Sequence, residues 1–210
     1  MHADRFDLAV VGAGLNGSLL ALAAARSGLE TVIIDRLPLQ AMAQAAFDGR
    51  TTAVSYTSQR VFEALGLWAD VAAQAEPIRD IRISDAGHDA RASRLFLHFD
   101  HREAGTENDA PMGWIVENRF LRAALLGRLS SCPNLELVSP DEVVETRREA
   151  AKAELRLKSG RTIATRLVAS AEGRFGSLRE EAGIGARSWS YRQTAIVLSA
   201  RHAEPHRGVA

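Results

Sequence analysis

Three glycines and one acid carry the first chemical signal in this sequence. Gly12-Ala13-Gly14-Leu15-Asn16-Gly17 has G-x-G-x-x-G spacing. The spacing alone is a weak signal, and its setting decides what it means. Residues 5–11, Arg-Phe-Asp-Leu-Ala-Val-Val, form the nearly continuous, β-branched-rich apolar run of a strand buried on both faces. Residues 15–27 are rich in Leu and Ala and lack proline, which predicts a helix ending at Gly28. Thr31 to Ile34 reads as a second buried strand, completing a β-α-β unit. In that setting Gly12 permits a tight turn, Gly14 lets the backbone approach a pyrophosphate, and Gly17 lets the helix pack close to the strand. The helix start offers its N–H groups and positive dipole end to phosphate. Asp35 ends the second strand, 18 positions after Gly17. A carboxylate there accepts hydrogen bonds from a ribose diol and repels a 2′-phosphate, so NADP is a poor candidate for this site. Arg36 could blunt that repulsion; its plain alternative is a solvated residue at the strand end.

Further elements must surround this unit. Residues 37–50 show no clear period and read as a long loop with one helical turn at most. Ser58 to Trp68 reads as a helix with Val61, Phe62 and Leu65 on one face. Ile81 to Ser84 and Leu95 to Phe99 read as strands, and the polar residues 100–111 as a loop. Met112 to Val116 reads as a short strand before a helix from Asn118 to Ser130, with Phe120, Leu121, Ala124, Leu125 and Leu129 as its apolar stripe. Four more strands follow: Leu135 to Val138, Glu142 to Thr146, Ala153 to Leu157 and Thr162 to Ala169. The turn Lys158-Ser159-Gly160 makes the last two a hairpin. No internal repeat or low-complexity segment interrupts the chain.

Composition excludes several classes. The 210 residues suffice for a real core without a metal or disulfide staple. Hydrophobic residues at 46% and charged residues at 25% exclude a disordered chain. Lys+Arg and Asp+Glu both total 26, so no net charge draws the chain to nucleic acid. The single Cys132 excludes an internal disulfide and a CxxC site, and fits a reducing compartment. No apolar run reaches the roughly 20 residues that span a bilayer. Asp4 and Asp7 stand where a signal peptide needs basic residues, so the expectation is a cytoplasmic protein. His202 and His206 have i,i+4 spacing, but Pro205 breaks any helix between them. His98 and His101 flank Asp100 in what reads as a solvated loop, and Trp68, Trp114 and Trp189 read as packing residues.

A family resemblance joins these pieces. Gly12 to Leu22 with Ile34-Asp35-Arg36 is similar to the first FAD motif of the class A flavoprotein monooxygenases. Asp48-Gly49-Arg50-Thr51-Thr52-Ala53-Val54-Ser55 followed by Leu65-Gly66-Leu67-Trp68 resembles the ubiquinone-biosynthesis hydroxylases, the UbiH/UbiF/Coq6 group. Val116-Glu117-Asn118-Arg119, the pattern Tyr191-x-Gln193-x-Ala195-Ile196-Val197 and Glu204-Pro205-His206 fit the same group in order. The resemblance covers essentially the whole chain but only the N-terminal half of the usual family length. It implies an α/β fold: a Rossmann-like FAD-binding domain with a parallel central sheet, plus the first strands of an incomplete β-sheet substrate domain. The implied division gives residues 1–76 and 111–184 to the FAD-binding domain, and 77–110 and 185–210 to the substrate domain.

By this resemblance Gly12, Gly14 and Gly17 shape the pyrophosphate loop and Asp35 binds the adenosine ribose. Arg50 would run along the flavin, where a guanidinium offsets flavin or phosphate charge; its plain alternative is a loop arginine. Arg119 would reach the nucleotide; its alternative is a surface arginine on a first helical turn. Glu172 and Gly173 would lie near the pyrophosphate and the NAD(P)H path, against the alternative of a simple β-turn. The sequence departs from the family motif Asp-Gly-x-x-Ser-x-x-Arg here, reading Glu172-Gly173-Arg174-Phe175-Gly176-Ser177-Leu178-Arg179. A longer acid could displace its carboxylate by about 1 Å, enough to slow a positioned reaction.

The implied chemistry belongs to the cofactor: NAD(P)H reduces FAD, and the reduced flavin with O2 hydroxylates a polyprenylated phenol. No side chain is assigned a catalytic role, and no metal is called for. Two other readings stand beside it: a non-catalytic nucleotide-binding or assembly fragment, and another FAD or NAD oxidoreductase with the same β-α-β start. Read as half an enzyme, the chain is expected to be inactive alone and to retain FAD weakly or not at all. Residues 193–200, with a β-rich middle at Thr194 to Leu198, are expected to join 81–84 and 95–99 in an incomplete sheet. Such a sheet favours self-association, or disorder from about residue 188. A lipid-like substrate also suggests contact with the periphery of the inner membrane.

Overall fold

The computed structural model describes residues 4–38, 49–86, 92–196, 198, 200 and 203–210. In chain order the elements are β1 (Asp4–Val11), α1 (Leu15–Arg26), β2 (Thr31–Ile34), β3 (Thr51–Ser55), α2 (Tyr56–Ala64), α3 (Trp68–Val71), β4 (Ala75–Ile78), β5 (Asp80–Ala86), β6 (Ala92–Asp100), β7 (Gly113–Glu117), α4 (Asn118–Ser130), β8 (Leu135–Val138), β9 (Val143–Arg148), β10 (Ala153–Leu157), β11 (Thr162–Ser170) and α5 (Leu178–Glu181). Most of the loop read at 37–50 lies outside the described residues. The described chain separates into two units, Met1–Ala46 with Leu121–Ala195, and Phe47–Phe120 with Ile196–Ala210.

The first unit is a six-stranded sheet in the order β8-β2-β1-β11-β10-β9. β8, β2, β1 and β11 run parallel, while β10 and β9 add antiparallel. The apolar run of β1 is explained by burial on both faces. Ala9 and Val11 join Val32, Ile34, Val138, Leu155, Leu157 and Ile163 in one buried cluster, which Leu178 of α5 helps cover. Leu8, Val10 and Ile33 alternate with them and are equally buried. α1 packs on β1 and β2, burying Ala21, Leu22, Ala24 and Ala25. α4 buries Leu121, Leu125, Leu126 and Leu129, close to the stripe read from the sequence.

The second unit holds a three-stranded antiparallel sheet, β3-β7-β4, and the hairpin β5-β6. The sequence reading missed β3 and β4 as strands. β3 lay inside a family motif, and β4 is only four residues long with Pro77 in it. The helix expected over 58–68 divides in two. Gly66 takes φ +62°, a left-handed conformation that ends α2, and α3 restarts at Trp68. Trp68 and Trp114 pack edge to face at 5.0 Å, as packing residues should. Trp189 is exposed, so it is no core residue.

The C-terminal expectation needs a larger correction. Among the described residues of 185–200 no strand forms, and Val197 lies outside them. β5 pairs with β6 as expected, and its further backbone partner is the tail rather than 194–198: Gly208 O accepts from the N–H groups of Arg79 and Asp80, and Arg82 N–H donates to Ala210 O. Residues 208–210 carry no β-branched run, only Val209, so periodicity could not reveal this pairing.

Candidate functional site

The glycine turn follows β1 directly. Gly12 N–H donates to Ile34 O at 2.8 Å, and Ala171 N–H donates to Val11 O at 2.7 Å, so the turn is stitched between β2 and the end of β11. Gly12 has φ +107°, and a Cβ there would lie 2.5 Å from Ala171 O. A Cβ at Gly17 would lie 1.9 Å from Gly12 O and 3.0 Å from Ala171 Cβ. Both positions therefore demand glycine by close backbone approach. Gly14 differs: its φ is −63° and a Cβ would meet nothing within 4 Å. The space above Gly14 is open, and Gly14 is exposed. Gly14 is also the N-cap of α1, with no side-chain cap and no acid in the first turn. The N–H groups of a first helical turn lack intrahelical partners, so this end of α1 is suited to an external anion.

Asp35 closes the other side of the turn. Its Oδ2 accepts from Ala13 N–H at 2.7 Å and its Oδ1 from Leu37 N–H at 2.8 Å. A carboxylate has about four acceptor positions, so two remain for a ligand. The sequence reading gave Asp35 a ligand-binding task; the structure adds that it braces the glycine turn. Arg36 is exposed beside it. Ser18, buried, donates its hydroxyl to Ala13 O at 3.0 Å and holds the turn from within the helix.

Glu172 and Gly173 follow Ala171, the residue seated against Gly12 and Gly17. Gly173 is exposed, with φ +79°. Glu172 Oε2 accepts from Ser170 Oγ at 3.0 Å and from Leu178 N–H at 3.1 Å. In this unit, then, Gly12, Gly14, Gly17, Asp35, Arg36, Glu172 and Gly173 lie around one turn.

Arg50 and Arg119 belong to the second unit. β3 pairs with β7 so that Thr51 faces Glu117, and Asn118 N–H donates to Arg50 O at 3.1 Å. The ladder thereby brings the Arg50 backbone beside the start of α4. Thr52 Oγ1 donates to Asn118 Oδ1 at 2.6 Å across the same junction. Arg119 Nε lies 2.6 Å from Glu117 Oε2, and its guanidinium stacks over the Phe120 ring at 4.6 Å.

Sequence reasoning missed two contributors. Arg122, half-buried on α4, lines a narrow cleft with Ala13, Gly14, Leu15, Ser18, Leu125 and Leu126. Its position next to Leu121 of the apolar stripe was the available signal. Ala171 gave none, because its role rests on its backbone carbonyl. The histidine reading changes in part: His98 lies in β6, exposed, with Nε2 2.7 Å from Asp80 Oδ1, while His101 follows β6 with Nδ1 3.1 Å from Arg79 O. His202 lies outside the described residues. Among the described residues, no group of three or more His, Cys, Asp or Glu could hold a metal.

A family model described as FAD binding domain matches residues 5–206. Ubiquinone hydroxylase UbiL of Rhodospirillum rubrum is 42% identical over 204 residues, covering 97% of this chain and 46% of that protein. The 3-demethoxyubiquinol 3-hydroxylase of Escherichia coli is 31% identical over 196 residues, covering 92% of this chain and 48% of that protein. Among solved structures, p-nitrophenol 4-monooxygenase PnpA of Pseudomonas putida superposes with a TM-score of 0.71 at 17% identity, covering 86% of this chain and 44% of that one. This last likeness shows the fold alone. The chain spans under half the length of the relatives it matches.

Proposed function

Because the chain belongs to the FAD binding domain family, we propose that its glycine turn holds the pyrophosphate of FAD. We further propose that it forms the FAD-binding part of a flavin-dependent hydroxylase of ubiquinone biosynthesis, acting on a polyprenylated phenol with NAD(P)H as co-substrate. The names of the two ubiquinone-pathway relatives support that substrate class. The observation that carries the site is Gly14: uncapped helix start, open space, and no Cβ to occupy it.

When bound, FAD supplies the redox chemistry. The chain's own residues bind and orient it. Gly12 and Gly17 allow the turn, Gly14 admits the phosphates, and the spare acceptor positions of Asp35 take the adenosine ribose. Arg36 flanks the ribose site, Arg50 and Arg119 offset negative charge, and the turn of Glu172 and Gly173 backs the glycine loop. Residues 1–76 and 111–184 are assigned to the FAD-binding domain, and 77–110 and 185–210 to the substrate domain. The exposed side chains of Ile83, Leu95, Leu97 and Phe99 on β5 and β6 are assigned to self-association. Peripheral membrane contact goes with a lipid-like substrate; among the described residues no helix is long and apolar enough to cross a membrane.

The decisive variant is Gly14→Val. Nothing lies within 4 Å of the new Cβ, so the apo fold should be unchanged. The side chain fills the pyrophosphate space, so FAD affinity should fall by roughly tenfold or more, about 1.4 kcal/mol. Flavin fluorescence titration reads the affinity and urea unfolding reads the fold. Equal FAD affinity in both proteins would move the nucleotide away from this turn.

A further inference from the structure

Glu172 accepts two hydrogen bonds through one oxygen, and both come from its own chain neighbourhood. Oε2 ties Ser170, the last residue of β11, to Leu178 N–H at the start of α5. Between these two anchors lies Ala171, whose carbonyl would be 2.5 Å from a Cβ on Gly12 and whose Cβ would be 3.0 Å from one on Gly17. The carboxylate can fold back this way only because position 176 is glycine. A Cβ there would lie 2.7 Å from Glu172 Cβ and 2.8 Å from Glu172 Oε2. Both distances are below any real contact, and one involves a Cβ that cannot swing away. The two residues occupy a single volume.

We infer that Glu172 and Gly176 act as one unit, in which the folded-back Glu172 bridge seats Ala171 against the glycine turn and makes Glu172 a positioning residue for that turn. The longer acid and the missing side chain at 176 are then a matched pair: the extra methylene lets the carboxylate reach both Ser170 and Leu178, and glycine leaves it room. Glu172 acts through Ala171 and does not itself touch the ligand. The functional part of this inference rests on the reading that the turn holds a dinucleotide, while the bridge itself does not.

The test uses the 210-residue chain without nucleotide. Amide hydrogen exchange at Gly12 and Ala171 reports how the turn is seated, since both N–H groups are bonded across it. Glu172→Gln is isosteric, and its amide oxygen can accept from both Ser170 and Leu178. Exchange in Glu172→Gln should therefore stay within about threefold of wild type. Glu172→Asp is too short to bridge and Glu172→Ala has no acceptor, so each should exchange roughly tenfold faster. Gly176→Ala should match Glu172→Ala, and the double variant should be no worse than the worse single. FAD titration of the same set should follow the same order. If Glu172→Asp is retained while Glu172→Gln is loosened, or if the Glu172→Ala and Gly176→Ala effects add, the inference is overturned. Should a variant fail to fold, Glu172→Gln alone still decides, because loosened Gly12 and Ala171 amides there also overturn it. FAD affinity unchanged by Gly14→Val would remove the site reading, and the exchange order, read without nucleotide, would still settle the bridge.

Discussion

Replacing Asp35 with alanine should cost stability before any nucleotide is added. The carboxylate accepts from Ala13 N–H at 2.7 Å and Leu37 N–H at 2.8 Å. Ala13 is 4% exposed, so water cannot replace its lost acceptor. An orphaned buried donor costs about 1–3 kcal/mol. Leu37 is exposed, and water takes over there at a cost of about 0.5 kcal/mol. Asp35→Ala should therefore lower apo stability by about 1.5–3.5 kcal/mol. Asp35→Asn keeps one acceptor and presents an N–H2 to the other donor, so it should recover about half of that. Urea unfolding near pH 7 with linear extrapolation reads both values. FAD titration then reads a separate loss of about 1–3 kcal/mol if ribose hydroxyls use the remaining acceptor positions. An Asp35→Ala chain within about 0.5 kcal/mol of wild type would refute the bracing role, because no surface substitution effect needs a brace to explain it.

Gly17→Ala places its Cβ 1.9 Å from Gly12 O, and both groups are backbone-bound, so the cost should be about 3 kcal/mol or more by thermal or urea unfolding; an unaffected midpoint would mean that α1 shifts freely. Burial pushes the Asp141 carboxyl up, but hydrogen bonds from Ser159 Oγ and the N–H groups of Glu142, Ser159 and Lys158 outweigh it and hold its pKa below the ordinary 3.8. Its contribution is therefore complete above that ordinary value and is lost as pH falls through the lower folded one. Asp141→Asn should flatten the acid limb of the stability profile, and an unchanged limb would remove Asp141 as its source. Leu97→Glu, on the exposed face where Leu97 pairs with Ile83, should shift the chain toward monomer in light scattering without loss of fold; an unchanged mass would place self-association elsewhere.

The sequence by itself determined the β-α-β core. Its apolar runs fall on β1 and β2, and its Leu and Ala segment on α1, because a doubly covered parallel strand and a packed helix each impose their own period. The three glycines were legible for a related reason: spacing after a buried strand carries the geometry of the turn with it. Asp35 was legible by position but only half by role, since its bonds to Ala13 and Leu37 depend on where the second strand ends relative to the first. Tertiary structure alone decided the rest. Pairing of the 208–210 tail with β5 leaves no periodic trace in three residues. The seat of Ala171 on Gly12 is a contact between a backbone carbonyl and a missing Cβ, 159 positions apart in the chain, and neither atom group has a side-chain signature. The exclusion of any Cβ at Gly176 by Glu172 is of the same kind: a shared volume exists only once the chain has turned back on itself.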